Sequence, residues 1–533
     1  MMKQKNEQGR KKTVRRRWPC WGMVLGVVLA GTIAVLVGLH IFMYNSWGLR
    51  GVRFSYETGF YEDNIEVEMH PEGFLVTRPV RIKYNMNGDD LENTSEEYTN
   101  AVRLEVPEEG YKLYTVTATA CEDNGECLDP QAAIYVLGKN LNEDITLDII
   151  NINCSQENLY DYDKGIMVKG RMYDEGMMAG EKILLANYNQ RGKAWMREAF
   201  ITRINGDGKI VLRQNVHIGV SGGSSSEYDV KSIKFLMELP NGNWGSFRLR
   251  SGGQDHDTGN IRSSVVDRLA EESMFDGRTG TERVVVFLNG KYYGIFDMQE
   301  TFSEQNLVNR FGLSKKKNVE KISESGSEAY IFKKFGLEDE NWDNLDLAEN
   351  RDKIEAMIDM DDYLKYYAIF IMTNNTDWPM NNFIAWRYVN GEHTDNQYED
   401  GKIRFLIRDT DLVYYTNGNR IWFEGAVGDT FRAMMDNEHR GVGSSFRKVM
   451  KSEYYRARFI NLLRDLINGP FATENVLRII DEEAAKIEHQ VELFSTEEEY
   501  EEWKGWIELM KKAASERENQ IREDVKEYFG VEL

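Results

Sequence analysis

Histidine and cysteine are scarce in this 533-residue chain, seven and four respectively. The histidines never stand at a metal-ligand spacing, which argues against zinc-hydrolase chemistry. Four cysteines are too few for a disulfide-built scaffold, and a chain of this length does not need one. Cys121 and Cys127 flank the turn-like EDNGE and have the spacing to close a small hairpin loop, which leaves Cys154 free or paired in trans. Positive charge is also short, with 66 Lys and Arg against 88 Asp and Glu and a formal charge of −22. So acidic a body has no general electrostatic footprint for nucleic acid. Its charge suits basic polypeptides or divalent cations.

One stretch lacks charge altogether. Residues 18–45 hold no Asp, Glu, Lys or Arg, and a helix needs only ~20 apolar residues to span a hydrocarbon core. The 17 residues before it carry eight Lys/Arg and one Glu, which places that end in the cytoplasm by the positive-inside rule. No small-x-small site closes the run. The expectation is a basic cytoplasmic tail (1–17), an uncleaved transmembrane signal-anchor (18–45), and a body outside the cytoplasm.

Residues 46–140 read as short strands broken by Gly, Asn and Asp, with period-two alternation in KLYTVTATA and no competing helical period. A small all-β sandwich follows. The segments TGFY, IKYNMNG and SEEY resemble the immunoglobulin-like domain found beside many bacterial surface proteins. It holds no catalytic constellation.

From 145 to 533 the order of elements is informative. KIVLRQNVHIGV, VKSIKFLMEL and GSFRLR have strand character, and a Gly/Ser turn with Gly222 and Gly223 separates the first two. NIRSSVVDRLAEESMF has helical spacing, with Asn260 at the N-cap position. RVVVFLNGKYYGIFDMQE is a hairpin with an Asn-Gly turn. After residue 350 helical patterns dominate, and the aromatic helices at 363–372 and 453–460 read as core. The expected fold class is α+β: a two-lobe, atypical protein-kinase-like domain behind an immunoglobulin-like sandwich and one transmembrane helix.

That layout gives two polar stretches a chemical meaning. Phosphoryl transfer needs an acceptor for the substrate hydroxyl proton, metal ligands and phosphate-holding donors. Asp377 and Asn382 have the five-residue spacing of a kinase base and metal-ligand Asn. Asp409 and Asp411 end the apolar strand GKIRFLIRDTDL. Hard oxygen ligands of this kind suit Mg²⁺ or Mn²⁺.

The stretches NLYDYDKGIMVKG, FRLRSGGQDHDTGNIRSSVVDRLA, VFLNGKYYGIFDMQE, MDDYLKYYAIFIMTNNTDW, LIRDTDL and EEWKGWIELMKKAASER, in that order, resemble the CotH family of spore-coat protein H kinases. The resemblance implies an atypical kinase moving the γ-phosphate of ATP to serine of a surface or coat protein, with a basic, Ser-rich substrate fitting the acidic body. It implies Asp377 as catalytic base and Asn382, Asp409 and Asp411 on the metal. Arg408 stands where the family usually has Trp, and Asn381 where His often precedes the Asn. SGGSSSEYDVKS lacks the family's Arg and Pro-Lys, changes that bear on nucleotide affinity. Candidates for holding phosphate are Arg248 and Arg250, which share a strand face by alternation, Lys231 or Lys234 on the strand before, and Arg262 with Glu271 or Glu272 on the helix. The alternative is a surface binding or scaffold protein that keeps the fold without the activity.

Overall fold

Strands come first along the chain and helices second. The computed structural model describes residues 48–533 apart from 75–78, 87–94, 123–124, 240–241, 324–327, 380–381, 390–393, 416–428 and 437–442, and, before 48, only residues 32, 35 and 36. Nine strands precede residue 140: β1 (Gly48–Phe54), β2 (Gly59–Tyr61), β3 (Ile65–Val67), β4 (Met69–Phe74), β5 (Val80–Met86), β6 (Glu96–Glu97), β7 (Val102–Leu104), β8 (Tyr111–Glu122) and β9 (Gln131–Gly138). They form three sheets, ordered β2-β9-β8-β5-β6, β1-β4 and β3-β7. Alternation gives β8 and β9 two buried faces. Val116, Ala118, Ala133 and Tyr135 pack with Val52, Val67 and Ile82, while Tyr111, Leu113, Ile134 and Val136 face the rest of the chain. A disulfide joins Cys121 to Cys127, and Cys154 is buried and unbridged.

Seven strands then close into a barrel: β10 (Asp148–Asn153), β11 (Arg197–Ile204), β12 (Ile210–Ser221), β13 (Ser232–Glu238), β14 (Trp244–Arg250), β15 (Thr281–Leu288) and β16 (Lys291–Glu300), in ring order β10-β11-β12-β13-β14-β16-β15. Asn289 and Gly290 take φ of 52° and 76°, the turn geometry that follows strand twist in a two-residue hairpin. The ring closes through β10, which pairs antiparallel with β11 and parallel with β15. Ile150, Ile218, Phe235, Leu249, Val284 and Phe296 fill the interior. Alternate residues Ile149, Ile204, Val285 and Phe287 bury outward against Tyr111, Leu113 and Phe494. Burial on both faces explains the unbroken VVVF run of β15.

Beyond the barrel a three-stranded antiparallel sheet, β17 (Val319–Ser323), β18 (Ile384–Tyr388) and β19 (Arg404–Leu406), lies among helices. The Met360–Met372 helix is buried on nearly every side, its Tyr363, Tyr366, Tyr367 and Phe370 packed in the main core. Tyr455, Phe459 and Ile460 of the Glu453–Ile467 helix join them. The chain ends in two long helices, Thr473–Phe494 and Glu497–Phe529, the second opened by a reciprocal Thr496–Glu499 capping box.

These observations correct the expected fold class in two respects. Strands β10 to β16 form a closed seven-stranded barrel, not the small lobe of a two-lobe kinase-like domain. One core also runs without a break from Ile261 and Ile295 to Val525. Among the described residues no helix is long and apolar enough to cross a membrane. The longest, Glu497–Phe529, is charged along its whole length. The transmembrane anchor expected at 18–45, and the single-pass placement with an extracytoplasmic body built on it, are therefore not supported. That run and the basic tail at 1–17 lie outside the described residues, save for positions 32, 35 and 36. A smaller correction concerns the helix Arg262–Glu272. Asn260 adopts φ 53° and donates to Ile295 O at 3.1 Å, and Asp255 Oδ2 instead accepts from Arg262 N at 2.9 Å.

One buried acid in this core yields a stability prediction. Glu328 is fully buried at the start of the Glu328–Lys334 helix, and its Oε1 accepts from Ser445 N at 2.7 Å. Burial raises its pKa above the ordinary 4.5. The neutral acid's stabilisation is therefore complete below the unfolded pKa and lost as pH rises through the folded one. Glu328→Gln is uncharged throughout. It should raise Tm by about 3 °C near pH 8 and converge on wild type near pH 4.5. A constant difference across that range would sink the assignment.

Candidate functional site

Cross-strand register assembles the first half of the site. Lys234 of β13 and Gln299 of β16 lie on either side of Arg248 of β14. Arg248 donates to Gln299 Oε1 at 3.0 Å, and among the described residues no carboxylate lies within ion-pair distance of it. Burial and the adjacent Arg250 and Arg408 charges push its pKa below the usual arginine range. A guanidinium does not give up its proton at physiological pH, so this charge favours an anion beside it.

Space for that anion is present. Arg248 opens on a cavity of about 310 Å³ whose wall also carries Lys234, Lys321 of β17 and Arg408, with Glu300 and Glu304 as its carboxylates. Lys321 enters from the side of the three-stranded sheet, its Nζ donating to Phe302 O at 2.6 Å, and burial lowers its pKa. Like charges placed opposite each other across a strand pair repel. Four cations around one cavity of an acidic protein thus favour a multiply charged anion.

The second half is acidic. Arg248 and Arg408 also line a much smaller cavity with Arg250 and Asp409. Arg250, 3% exposed, turns all its contacts inward: Nη1 donates to Gly252 O at 2.8 Å and Ser263 Oγ at 3.0 Å, and Nη2 meets Asp409 Oδ1 at 2.6 Å and Asp411 Oδ2 at 3.0 Å. Asp411 Oδ2 also accepts from Gln254 N at 2.8 Å. Gly253 makes this approach possible, because it sits at φ 64° and a Cβ there would collide with Asp411 and Arg250. Despite burial, Arg250, Arg408 and Arg248 hold the Asp409 pKa low. Burial and the Asp409 charge push Asp411 up to about 6.

Backbone and side-chain bonds dock the loop 373–377 onto this pair. Tyr414 N donates to Thr373 O at 3.0 Å, Thr376 N to Leu412 O at 3.3 Å, and Asn375 Nδ2 to Asp409 O at 3.5 Å. Within the loop, Asp377 N donates to Asn375 Oδ1 at 3.1 Å and Asn382 Nδ2 to Asp377 Oδ2 at 2.9 Å. Asn374, Asn382 and Asp409 all take positive φ, 51°, 62° and 58°, a conformation Asn and Asp tolerate better than other side chains.

Asp377, Asn382, Asp409, Asp411, Arg248 and Arg250 are thus brought to one region. Three other sequence candidates are engaged elsewhere. Lys231 donates to Tyr228 O at 2.6 Å and lies over the Tyr188 ring. Arg262 is enclosed by Asp255, Thr258 and the Val413 carbonyl. Glu271 pairs with Arg278 at 2.6 Å and is half exposed to solvent. Sequence reasoning missed Lys321 and Arg408 as cavity cations. Arg408 was noted only as a departure from a family pattern, and nothing local marks Lys321.

Asp409 Oδ2 and Asp411 Oδ1 accept no protein hydrogen bond among the described residues, and the Asn382 amide spends its nitrogen on Asp377. Carboxylate and amide oxygens are hard donors of the kind that Mg²⁺ or Mn²⁺ takes. No three His, Cys, Asp or Glu side chains gather into a metal cage among the described residues.

An acidic pair beside a cation-walled cavity, with an Asp–Asn loop docked on it, is the equipment of a phosphate-handling, kinase-like protein. The chain matches the family model for the CotH kinase protein over residues 218–528, more than half its length, and belongs to that family. The match begins in β12 and leaves out β10, β11 and all that precedes them. No curated protein matches the chain.

Proposed function

We propose that this protein transfers the γ-phosphate of ATP to a serine hydroxyl of a protein substrate, using Mg²⁺ or Mn²⁺. One observation carries the reading: Arg248 is a half-buried cation with no carboxylate in ion-pair distance among the described residues, and it faces a cavity shared with three more cations beside the Asp409–Asp411 pair. A scaffold that binds no nucleotide leaves that charge unexplained.

Arg248, Lys234, Lys321 and Arg408 hold the phosphates. Arg250 holds Asp409 and Asp411 in place, and Lys231, Arg262 and Glu271 take no part. Asp409, Asp411 and the Asn382 amide oxygen would hold the divalent cation, which neutralises phosphate charge when bound. Asp377, oriented by Asn382, accepts the serine hydroxyl proton as the hydroxyl oxygen bonds to the γ-phosphorus. The bond from that phosphorus to the bridging oxygen breaks, and ADP leaves. The acidic surface favours a basic, Ser-rich acceptor.

Incubation of the purified chain with labelled ATP, Mg²⁺ or Mn²⁺ and basic Ser-rich peptides should yield labelled phosphoserine. Metal with nucleotide should raise Tm, since ligand at a hundred times its Kd adds about 2.7 kcal/mol. Absence of both label transfer and a Tm shift at millimolar ligand would falsify this reading.

A further inference from the structure

The longest helix of the protein reaches the candidate catalytic loop through a buried charged contact that the proposed chemistry does not use. Arg517 lies two-thirds of the way along Glu497–Phe529 and is 6% exposed. Its Nε and Nη2 donate to Ile371 O at 3.1 and 2.7 Å, and its Nη1 pairs with Asp429. Ile371 is in the last turn of the Met360–Met372 helix, immediately before the loop. The Ile371 carbonyl, at a helix end, also accepts from Asn374 N at 3.1 Å, so Arg517 clamps a carbonyl already bonded to the loop.

The other arm of the contact reaches the same loop from the opposite side. Asp429 is 7% exposed and accepts from Phe431 N at 2.8 Å and Arg432 N at 3.0 Å, which orients the Thr430–Asp436 helix. That fixes Thr430, whose N and Oγ1 donate to Asn374 Oδ1 at 2.8 and 3.0 Å and whose Oγ1 also reaches Asn375 O at 2.9 Å. Asn375 in turn holds the Asp377 amide and touches the Asp409 carbonyl. Arg432 extends the contact to Asp524 at 2.7 Å, one further position on the terminal helix that is fully buried.

We propose that Arg517 is a positioning residue for the Asp377 loop. Through Ile371 on one side and Asp429–Thr430 on the other, it holds residues 373–377 against the Asp409–Asp411 pair. It touches neither nucleotide nor acceptor. Coupling of this kind needs a contiguous, rigid set of contacts, and each link here is a hydrogen bond or ion pair between mostly buried groups. The contribution to catalysis rests on the reading of Asp377 as base; the bracing of the loop does not.

The test uses the full chain in four forms: wild type, Arg517→Met, Arg517→Lys and Thr430→Val. Removing Arg517 leaves Asp429 buried and unpaired, so Arg517→Met is the variant that risks unfolding. Thr430→Val keeps the ion pair and removes only the hydroxyl link. Hydrogen exchange of a peptide spanning 373–377 should speed up about tenfold in Arg517→Met and Thr430→Val, with the barrel peptide 281–288 unchanged. Arg517→Lys, which keeps the ion pair and can donate to only part of the network, should fall between. In an active preparation kcat should drop about tenfold in parallel, while the nucleotide-induced Tm shift stays at the wild-type value. Unchanged exchange at 373–377 in all variants overturns the proposal, as does faster exchange spread equally over the barrel. If wild type transfers no phosphate, the kinase reading fails and the exchange result alone decides whether Arg517 braces the loop.

Discussion

Arg248→Met is expected to weaken nucleotide binding about a hundredfold, a loss of ~2.7 kcal/mol, without destabilising the ligand-free protein. Among the described residues Arg248 bonds to the neutral Gln299 amide alone, and it faces Lys234, Arg250 and Arg408. Methionine fills most of its volume and removes the repulsion. The same change at Arg262 should do the reverse. Arg262 is 2% exposed and holds Asp255 and the Val413 carbonyl, and breaking a buried pair costs roughly 3–5 kcal/mol. Isothermal titration with ATP and thermal unfolding of both variants separate the roles. If Arg248→Met binds ATP as wild type does, the cation-walled cavity is not the phosphate site.

The second large effect divides the two polar stretches by function. Asp377→Ala should lower kcat by about 10²–10⁴, the range of a general base, and leave the Tm shift with metal and ATP intact. A base acts in the transition state and adds little to ground-state binding. Asp409→Ala should abolish both the metal-dependent shift and transfer. Burial and the Asp409 charge together push Asp411 up to about 6, so with that charge removed the remaining Asp411–Arg250 pair should titrate lower. Thermal shifts with Mg²⁺, Mn²⁺ and ATP, beside single-turnover rates, measure both. An Asp377→Ala protein that loses the nucleotide shift, or an Asp409→Ala protein that keeps the metal shift, contradicts the division.

Much of the barrel can be read along the chain. The strands β12 to β16 carry local alternation or an Asn-Gly turn, and each pairs with a neighbour close in sequence or across one helix. The closing strand cannot be read that way. β10 meets β15 in parallel across more than 130 residues, and no periodicity within either segment encodes a partner so distant. For the uncharged run at 18–45, composition supplied a length but no packing partner.

The candidate site divides along the same line. Residue type and spacing singled out Asp377, Asn382, Asp409 and Asp411 before any contact was known, because short polar turns between apolar elements are a local pattern. The sequence by itself also determined that Arg248 and Arg250 share a strand face, since alternation is a property of the backbone. Which arginine pairs with the carboxylates was decided only by tertiary structure. The loop carrying Asp409, 159 residues further on, docks against Arg250 and not Arg248. Likewise only the approach of β17 to the barrel makes Lys321 a wall of the cavity. The role of a buried charge depends on the distance to its counter-charge and on the water excluded between them, and both quantities exist only once the chain has folded.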